Sequence, residues 1–189
     1  MKRFKLTFFL AITTLCASAQ KWKSDPEHSR LGFRIEHMQI SEVNGIFKDF
    51  EIEVKAAKPD FSDAVIALRA EISSIDTEVE ARDKHLKDKD FFDAESYPTI
   101  QFKSKSISRI DENRYSVTGM LTMHDVTKQV TMEMVHNGTI NNTVTKKRTV
   151  GFQVTGTISR SDFEIGSKFP EKLVGDSVFI VADAELQLQ

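Results

Sequence analysis

The segment 82–98, RDKHLKDKDFFDAESYP, packs seven charged residues and one histidine into its first nine positions. Acids, bases and an imidazole at that density suit general acid–base work or metal ligation. Either chemistry needs several groups converging on one point. There is no HExxH sequence and no cysteine pair. Asp83 and His85 stand two apart, so on a helix they do not share a face. The remaining candidates are dispersed: His28, His37, His124, Arg160 and Asp162. A zinc site would require distant chain segments to bring His28, His85 and His124 together, and a nucleophile–base pair is not visible in the spacing. No catalytic set, metal set or cofactor motif is assigned.

What holds these residues is a series of strands. Period-two alternation, the mark of half-buried strands, recurs eight times. Leu31, Phe33, Ile35 and His37 share one face, which aims His37 inward or at a mouth. Either it is a core histidine with one satisfied hydrogen bond, or it is a polar contact to a ligand. A second strand covers 45–54, where Phe47 and Phe50 have opposite parity, so a bulge is expected near Lys48 and Asp49. Ala64, Ile66, Leu68, Ala70 and Ile72 form the third face, and Ile100 and Phe102 lead the fourth. Tyr115, Val117, Gly119, Leu121 and Met123 form the fifth, and Val130, Met132 and Met134 the sixth. Val150, Phe152, Val154, Gly156 and Ile158 make the seventh; Val178, Ile180, Ala182, Ala184, Leu186 and Leu188 make the eighth. Arg160 continues the seventh phase inward. A buried guanidinium needs an acceptor, either Asp162 or a ligand head group.

The fold class is therefore all-β. Eight strands with mostly short polar links suggest an antiparallel sheet, and closure into a barrel hides its edges. Small inward residues (Ala64, Ala70, Gly119, Gly156, Ala182, Ala184) argue for hollow space. A tapered, filled barrel in which small residues oppose large ones is the alternative. Met120, Met123, Met132 and Met134 add adaptable side chains on neighbouring strands.

Segment 75–92 departs from alternation and predicts a short helix between the third and fourth strands. Thr77 and Glu80 fit a capping box, with Glu78 and Glu80 early and Lys84, Lys87 and Lys89 late, as the helix dipole favours. Val79 and Leu86 would be the buried stripe, with Arg82 and Asp83 at the seam and the lysines in water. Phe91 and Phe92 would plug an apolar space.

The first nineteen of the 189 residues read as a secretory leader: basic MKRFK, apolar LTFFLAITTL, and ASA before a cut after Ala19. An anchored lipoprotein cut before Cys16 is the weaker reading, because Leu15 is bulky there. A single domain then occupies 20–189. Cleavage would remove three basic residues, leaving 23 basic against 28 acidic and a formal charge of −5. That balance disfavours nucleic acid as a partner. The one cysteine, Cys16, would leave with the leader, so the core alone must hold the fold. No later segment has the length and apolarity of a transmembrane helix.

Five pieces in order resemble the YceI-like family, lipid- or polyisoprenoid-binding proteins of bacteria. They are DPEHSRLGFRIEHMQISEVNGIFKDF (25–50), SSIDTEVEARDKHLKDKDFFDAESYPTIQFKS (73–104), GMLTMHDVTKQV (119–130), GTISRSDFEIG (156–166) and the closing VGDSVFIVADAELQL. The resemblance implies a lipocalin-like barrel with an apolar cavity, a periplasmic or secreted location, and a long-chain isoprenoid or similar amphiphilic lipid as ligand. It implies no reaction. The family's polar positions fall on His28, His37, Arg82, Asp83, His85, His124, Arg160 and Asp162. Two departures stand out. Asp125 and Glu164 replace the family's usual glycines, at turns where glycine often supplies positive φ.

The expected cavity wall is Phe33, Ile35, Leu68, Ala70, Ile100, Phe102, Leu121, Met123, Met132, Met134, Phe152, Val154, Ile180 and Ala184. His37, Arg82, Asp83, His85, His124, Arg160 and Asp162 are the polar candidates, in ligand-binding or structural roles. The function expected is a periplasmic carrier rather than an enzyme. Its rivals are an envelope stress or interaction protein with a filled barrel, and a lipid-modifying enzyme using His37, His85 or His124. Homodimerisation stays open.

Overall fold

The computed structural model describes residues 19–189, so the leader and Cys16 lie outside the described residues. In chain order the strands are β1 (Gln20–Ser24), β2 (Arg30–His37), β3 (Ser41–Phe47), β4 (Phe50–Ala56), β5 (Val65–Glu71) and β6 (Ile75–Asp76). After helix α1 (Glu80–Lys87) come β7 (Thr99–Arg109), β8 (Arg114–Met123), β9 (Val126–Asn141), β10 (Arg148–Ser159) and β11 (Val174–Leu188).

All pairings are antiparallel, and the sheet closes on itself through β1 and β11. The barrel has eight positions around its ring, because two of them hold broken strands. β1 and β2 lie end to end along one edge of β11: Trp22 pairs with Leu188, Leu31 with Ala182, and His37 with Val174. β4 and β3 lie end to end outside them, with Val54 opposite Trp22 and Phe47 opposite Leu31. The break falls at Lys48 and Asp49, where the parity of Phe47 and Phe50 placed a bulge. Lys48 there ion-pairs with Asp76 of β6.

β1 was not expected. It is short, and its second inward residue is Ser24, whose Oγ accepts the amide hydrogen of Ile52 at 2.9 Å. A satisfied serine in an apolar phase masks the alternation. A bulge between Ser104 and Ser106 sets Lys105 aside and shifts the parity of β7. Phe102 and Ile107 can then both pack against the core despite opposite parity.

Two apolar clusters fill the barrel, one toward each end. At the first end, the link between β4 and β5 folds Phe61 inward in a left-handed conformation, φ 59°. Its ring meets Trp22 at 5.5 Å and Phe152 at 5.0 Å, both edge-on. Tyr115 beside it donates its hydroxyl to the Asp60 carbonyl at 2.6 Å. This aromatic plug leaves that end solid. His136 is half buried against Phe61 and Phe152. Removal from water pushes its imidazole below the ordinary histidine range, against the opposing pull of its hydrogen bonding near Gly138.

At the second end α1 and the segment 160–173 cover the ring. The helix lacks the expected capping box. Its N-cap is Val79, which makes no side-chain cap and is 45% exposed. Thr77 is instead drawn into the protein. Asp83 Oδ1 accepts both the Thr77 amide at 2.8 Å and its hydroxyl at 2.5 Å. Arg82 donates to Thr77 Oγ1 at 2.8 Å and to its carbonyl at 2.7 Å. The two seam residues thus tie the helix to the strand that precedes it. Of the expected apolar stripe only Leu86 packs inward.

Candidate functional site

Between the plug and the helix lies a cavity of about 210 Å³. Its exposed wall is wholly apolar. Strand alternation explains this: every second residue of each strand faces inward, and in this half of the barrel those residues are branched, aromatic or thioether side chains.

Ten of the fourteen expected wall residues lie on it: Phe33, Ile35, Leu68, Ile100, Phe102, Leu121, Met123, Met132, Val154 and Ile180. Four do not. Met134, Phe152 and Ala184 belong to the solid end with Trp22 and Tyr115. Ala70 is fully buried in the core without reaching the cavity. Alternation assigns a residue to a face and is silent about depth along the barrel axis, so Met134, Phe152 and Ala184 share the correct face at the wrong level, whereas Ala70 lies beside wall residue Ile100.

The small inward residues do not make the hollow. A Cβ on Gly119 would stand 2.4 Å from the Phe102 ring, and one on Gly156 would stand 2.0 Å from Met132 Sδ. Neighbouring large side chains occupy the room these glycines leave. Of the six residues invoked, Ala182 alone is on the wall.

Several wall residues carried no alternation signal. Leu86, Phe91 and Phe92 come from α1 and the turns after it, and Ile165 and Val174 from the segment before and into β11. These cover the helix end of the chamber. Phe91 stacks on Phe169 at 4.8 Å with planes 16° apart, and His85 meets both rings edge-on at 5.0 and 5.6 Å. Lys168 reaches Asp90 across the same junction. His85, far from being a lone candidate base, is an exposed member of an aromatic contact between the two covering segments.

Arg160 is the one charged residue at the wall, and it is 6% exposed. Neither Asp162 nor any other carboxylate takes its hydrogen bonds; Asp162 is exposed. Five backbone carbonyls do. Nε donates to Gly175 at 3.0 Å; Nη1 donates to Ile165 at 3.0 Å and Gly166 at 2.8 Å; Nη2 donates to Phe169 at 2.8 Å and Val174 at 2.9 Å. A guanidinium has five N–H donors, and here all five are spent. Arg160 therefore clamps the covering segment onto the barrel and has no donor left for a ligand head group.

The other polar candidates are scattered. His37 is half buried at the base of the β2–β3 turn, and His28 is exposed, its Nδ1 3.0 Å from Asp25. That contact raises the His28 imidazole above its ordinary range and lowers the Asp25 carboxyl. His124 sits edge-on to Tyr97 at 4.8 Å, and its Nδ1 is buried without a partner. Among the described residues no group of three or more histidine, cysteine, aspartate or glutamate side chains is placed to hold a metal ion. Both departures from glycine keep the glycine-like backbone: Asp125 has φ 60° and Glu164 φ 59°.

A closed antiparallel barrel, plugged at one end and holding an apolar chamber beneath a helix, is a lipocalin-like architecture. The chain belongs to the YceI-like family: the model of the YceI-like domain matches residues 22–186. A UPF0312 protein of Staphylococcus aureus (strain N315) is 35% identical over 163 residues, covering 86% of this chain and 91% of that protein. Among solved structures, BcnA of Burkholderia cenocepacia superposes with a TM-score of 0.77 at 25% identity, over 86% of this chain and 98% of its own. The Campylobacter jejuni YceI protein gives 0.74 at 25% identity, over 100% and 99%. A polyisoprenoid-binding domain from Saccharophagus degradans, 12% identical, shares the fold with a TM-score of 0.67 over 89% and 98%.

Proposed function

We propose that the protein is a carrier or reservoir for a long-chain apolar molecule, a polyisoprenoid or similar lipid, held in the barrel interior and delivered in the periplasm or outside the cell. The observation that carries this reading is the wholly apolar chamber, whose one charged neighbour has every donor already bonded. An alkyl or isoprenyl chain in water exposes CH₂-sized units at about 0.8 kcal/mol each, and a dry tube recovers that without directional contacts. With no free polar group on the wall, the polar end of such a ligand stays toward the open side. Selection among chains of similar girth is then loose. The leader-like first nineteen residues support export, and the fold shared with a polyisoprenoid-binding domain supports the ligand class.

The test is native mass spectrometry of the purified protein, followed by organic extraction. A co-purifying lipid of discrete mass is expected. A protein that stays empty after incubation with polyprenols and fatty acids refutes the carrier reading.

A further inference from the structure

The β2–β3 turn stands at the helix end of the barrel, directly beyond cavity-wall residues Ile35 and Val174. Its tip, HMQIS, carries no formal charge with histidine neutral, in a chain that is 29% charged. Ile40 is 83% exposed and Met38 51%. Leu173, 38% exposed, joins them because its carbonyl accepts the Met38 amide at 3.0 Å. Other exposed apolar residues, such as Val65, Ile110 and Val144, lie on separate turns or strand starts away from this rim.

The tip also holds an expensive backbone. Ile40 N donates to the His37 carbonyl at 3.2 Å, and Met38 and Gln39 between them have φ 54° and 61°. Two successive positive φ values define the turn that Asn-Gly normally supplies. Here a methionine and a glutamine hold it, which pushes large side chains outward at a position where small polar ones cost less.

We propose that Met38, Ile40 and Leu173 form a membrane-docking rim, which sets the helix end of the barrel against a bilayer so that a lipid passes between them without crossing water. This rests on the carrier reading above. The occupant follows from three observations. The patch adjoins the cavity wall, since Leu173 precedes wall residue Val174 in the chain and accepts the Met38 amide. Three partly exposed side chains offer a few hundred Å² at most, short of the roughly 800 Å² per partner of a stable protein interface. The nearest charges along the chain are three acids, Glu36, Glu42 and Glu171, and one base, Lys172, so a net-neutral zwitterionic surface suits the rim better than an anionic one.

The experiment uses the chain from residue 20 onward, phosphatidylcholine vesicles and the fluorescent fatty acid cis-parinaric acid, supplied either in the vesicles or from cyclodextrin. Ile40→Asp and Leu173→Asp should each slow uptake from vesicles about tenfold or more, the value of one buried aliphatic side chain. Uptake from cyclodextrin should be unchanged. Ile40→Trp should show a blue-shifted emission when vesicles are added, over the constant signal of buried Trp22. Unchanged uptake from vesicles in both aspartate variants, with no emission shift, overturns the proposal. So does a dimer in sedimentation velocity that Ile40→Asp dissociates without affecting uptake, because the patch is then a contact between copies. If the parent takes up the acid by neither route, it is the carrier reading that fails, and the Ile40→Trp emission still decides the docking.

Discussion

Ala182 and Ala184 stand two residues apart on the inward face of β11, yet one borders the cavity and the other is buried in the solid end. Replacing each with phenylalanine separates occupancy from stability. A phenyl group needs about 150 Å³, so Ala182→Phe takes most of a cavity of about 210 Å³. It displaces about four methylene units of ligand at about 0.8 kcal/mol each, roughly 3 kcal/mol. That is a loss of more than about a hundredfold in Kd. Filling empty space regains up to about 24 cal/mol per Å³, and imperfect fit costs about 1–3 kcal/mol. The net change in stability should stay within about 2 kcal/mol. Ala184→Phe has no such room beside Phe152, its partner across the strands. It should lose stability by at least about 1–3 kcal/mol. Urea unfolding and a fluorescent-lipid titration on both variants check this. Equal affinity for lipid in Ala182→Phe and the parent would refute an interior ligand. Equal destabilisation of the two variants would refute the division of the barrel into a hollow and a solid half.

Three further outcomes are expected. Arg160→Met leaves five buried or half-buried carbonyls without their donor and should cost about 3–5 kcal/mol, seen in urea midpoints, with faster hydrogen exchange across 165–175. Glu164→Gly relieves a left-handed residue and should stabilise by about 0.5–1 kcal/mol, after the flexibility glycine adds to the unfolded chain, read as a higher Tm. His136 has a depressed imidazole in the folded state, so the unfolded chain binds the extra proton more readily. Its contribution is fully present above the unfolded value near 6.5 and is lost as pH falls through the folded value. The parent should therefore lose more stability than His136→Phe on going from pH 7 to pH 5, compared by urea midpoints; an identical slope for the two would remove His136 as a cause.

Alternation made the ring legible, because burial on one face repeats along every long strand. It placed all eight strand positions, and the parity clash of Phe47 and Phe50 located the break between β3 and β4. It failed where a buried position is polar, as at Ser24, and where covering elements come from turns, as at Phe61 and Phe169. The capping-box pattern at Thr77 failed because Asp83 and Arg82 compete for the same threonine and win it from the helix end. Depth along the barrel was not readable, which put Met134, Phe152 and Ala184 on the cavity wall in error. The partners of Arg160 were also hidden. Backbone carbonyls accept hydrogen bonds at every residue, so no side-chain pattern announces where five of them will converge. The small residues misled for a related reason. A glycine records that something approaches closely, and at Gly119 and Gly156 that something is a side chain of the protein itself.

The closure of the ring by the two ends of the chain sets the order in which the protein can be completed. β11 is the last strand to be made, and it supplies partners to β10, β2 and β1. Trp22 waits for Leu188 across almost the whole sequence, and Lys21 receives the amide of Gln189. Until residues 174–188 have emerged, the barrel has two unpaired edges and no sealed interior. A truncation before Val174 would leave a curved open sheet with exposed edges and no sealed interior.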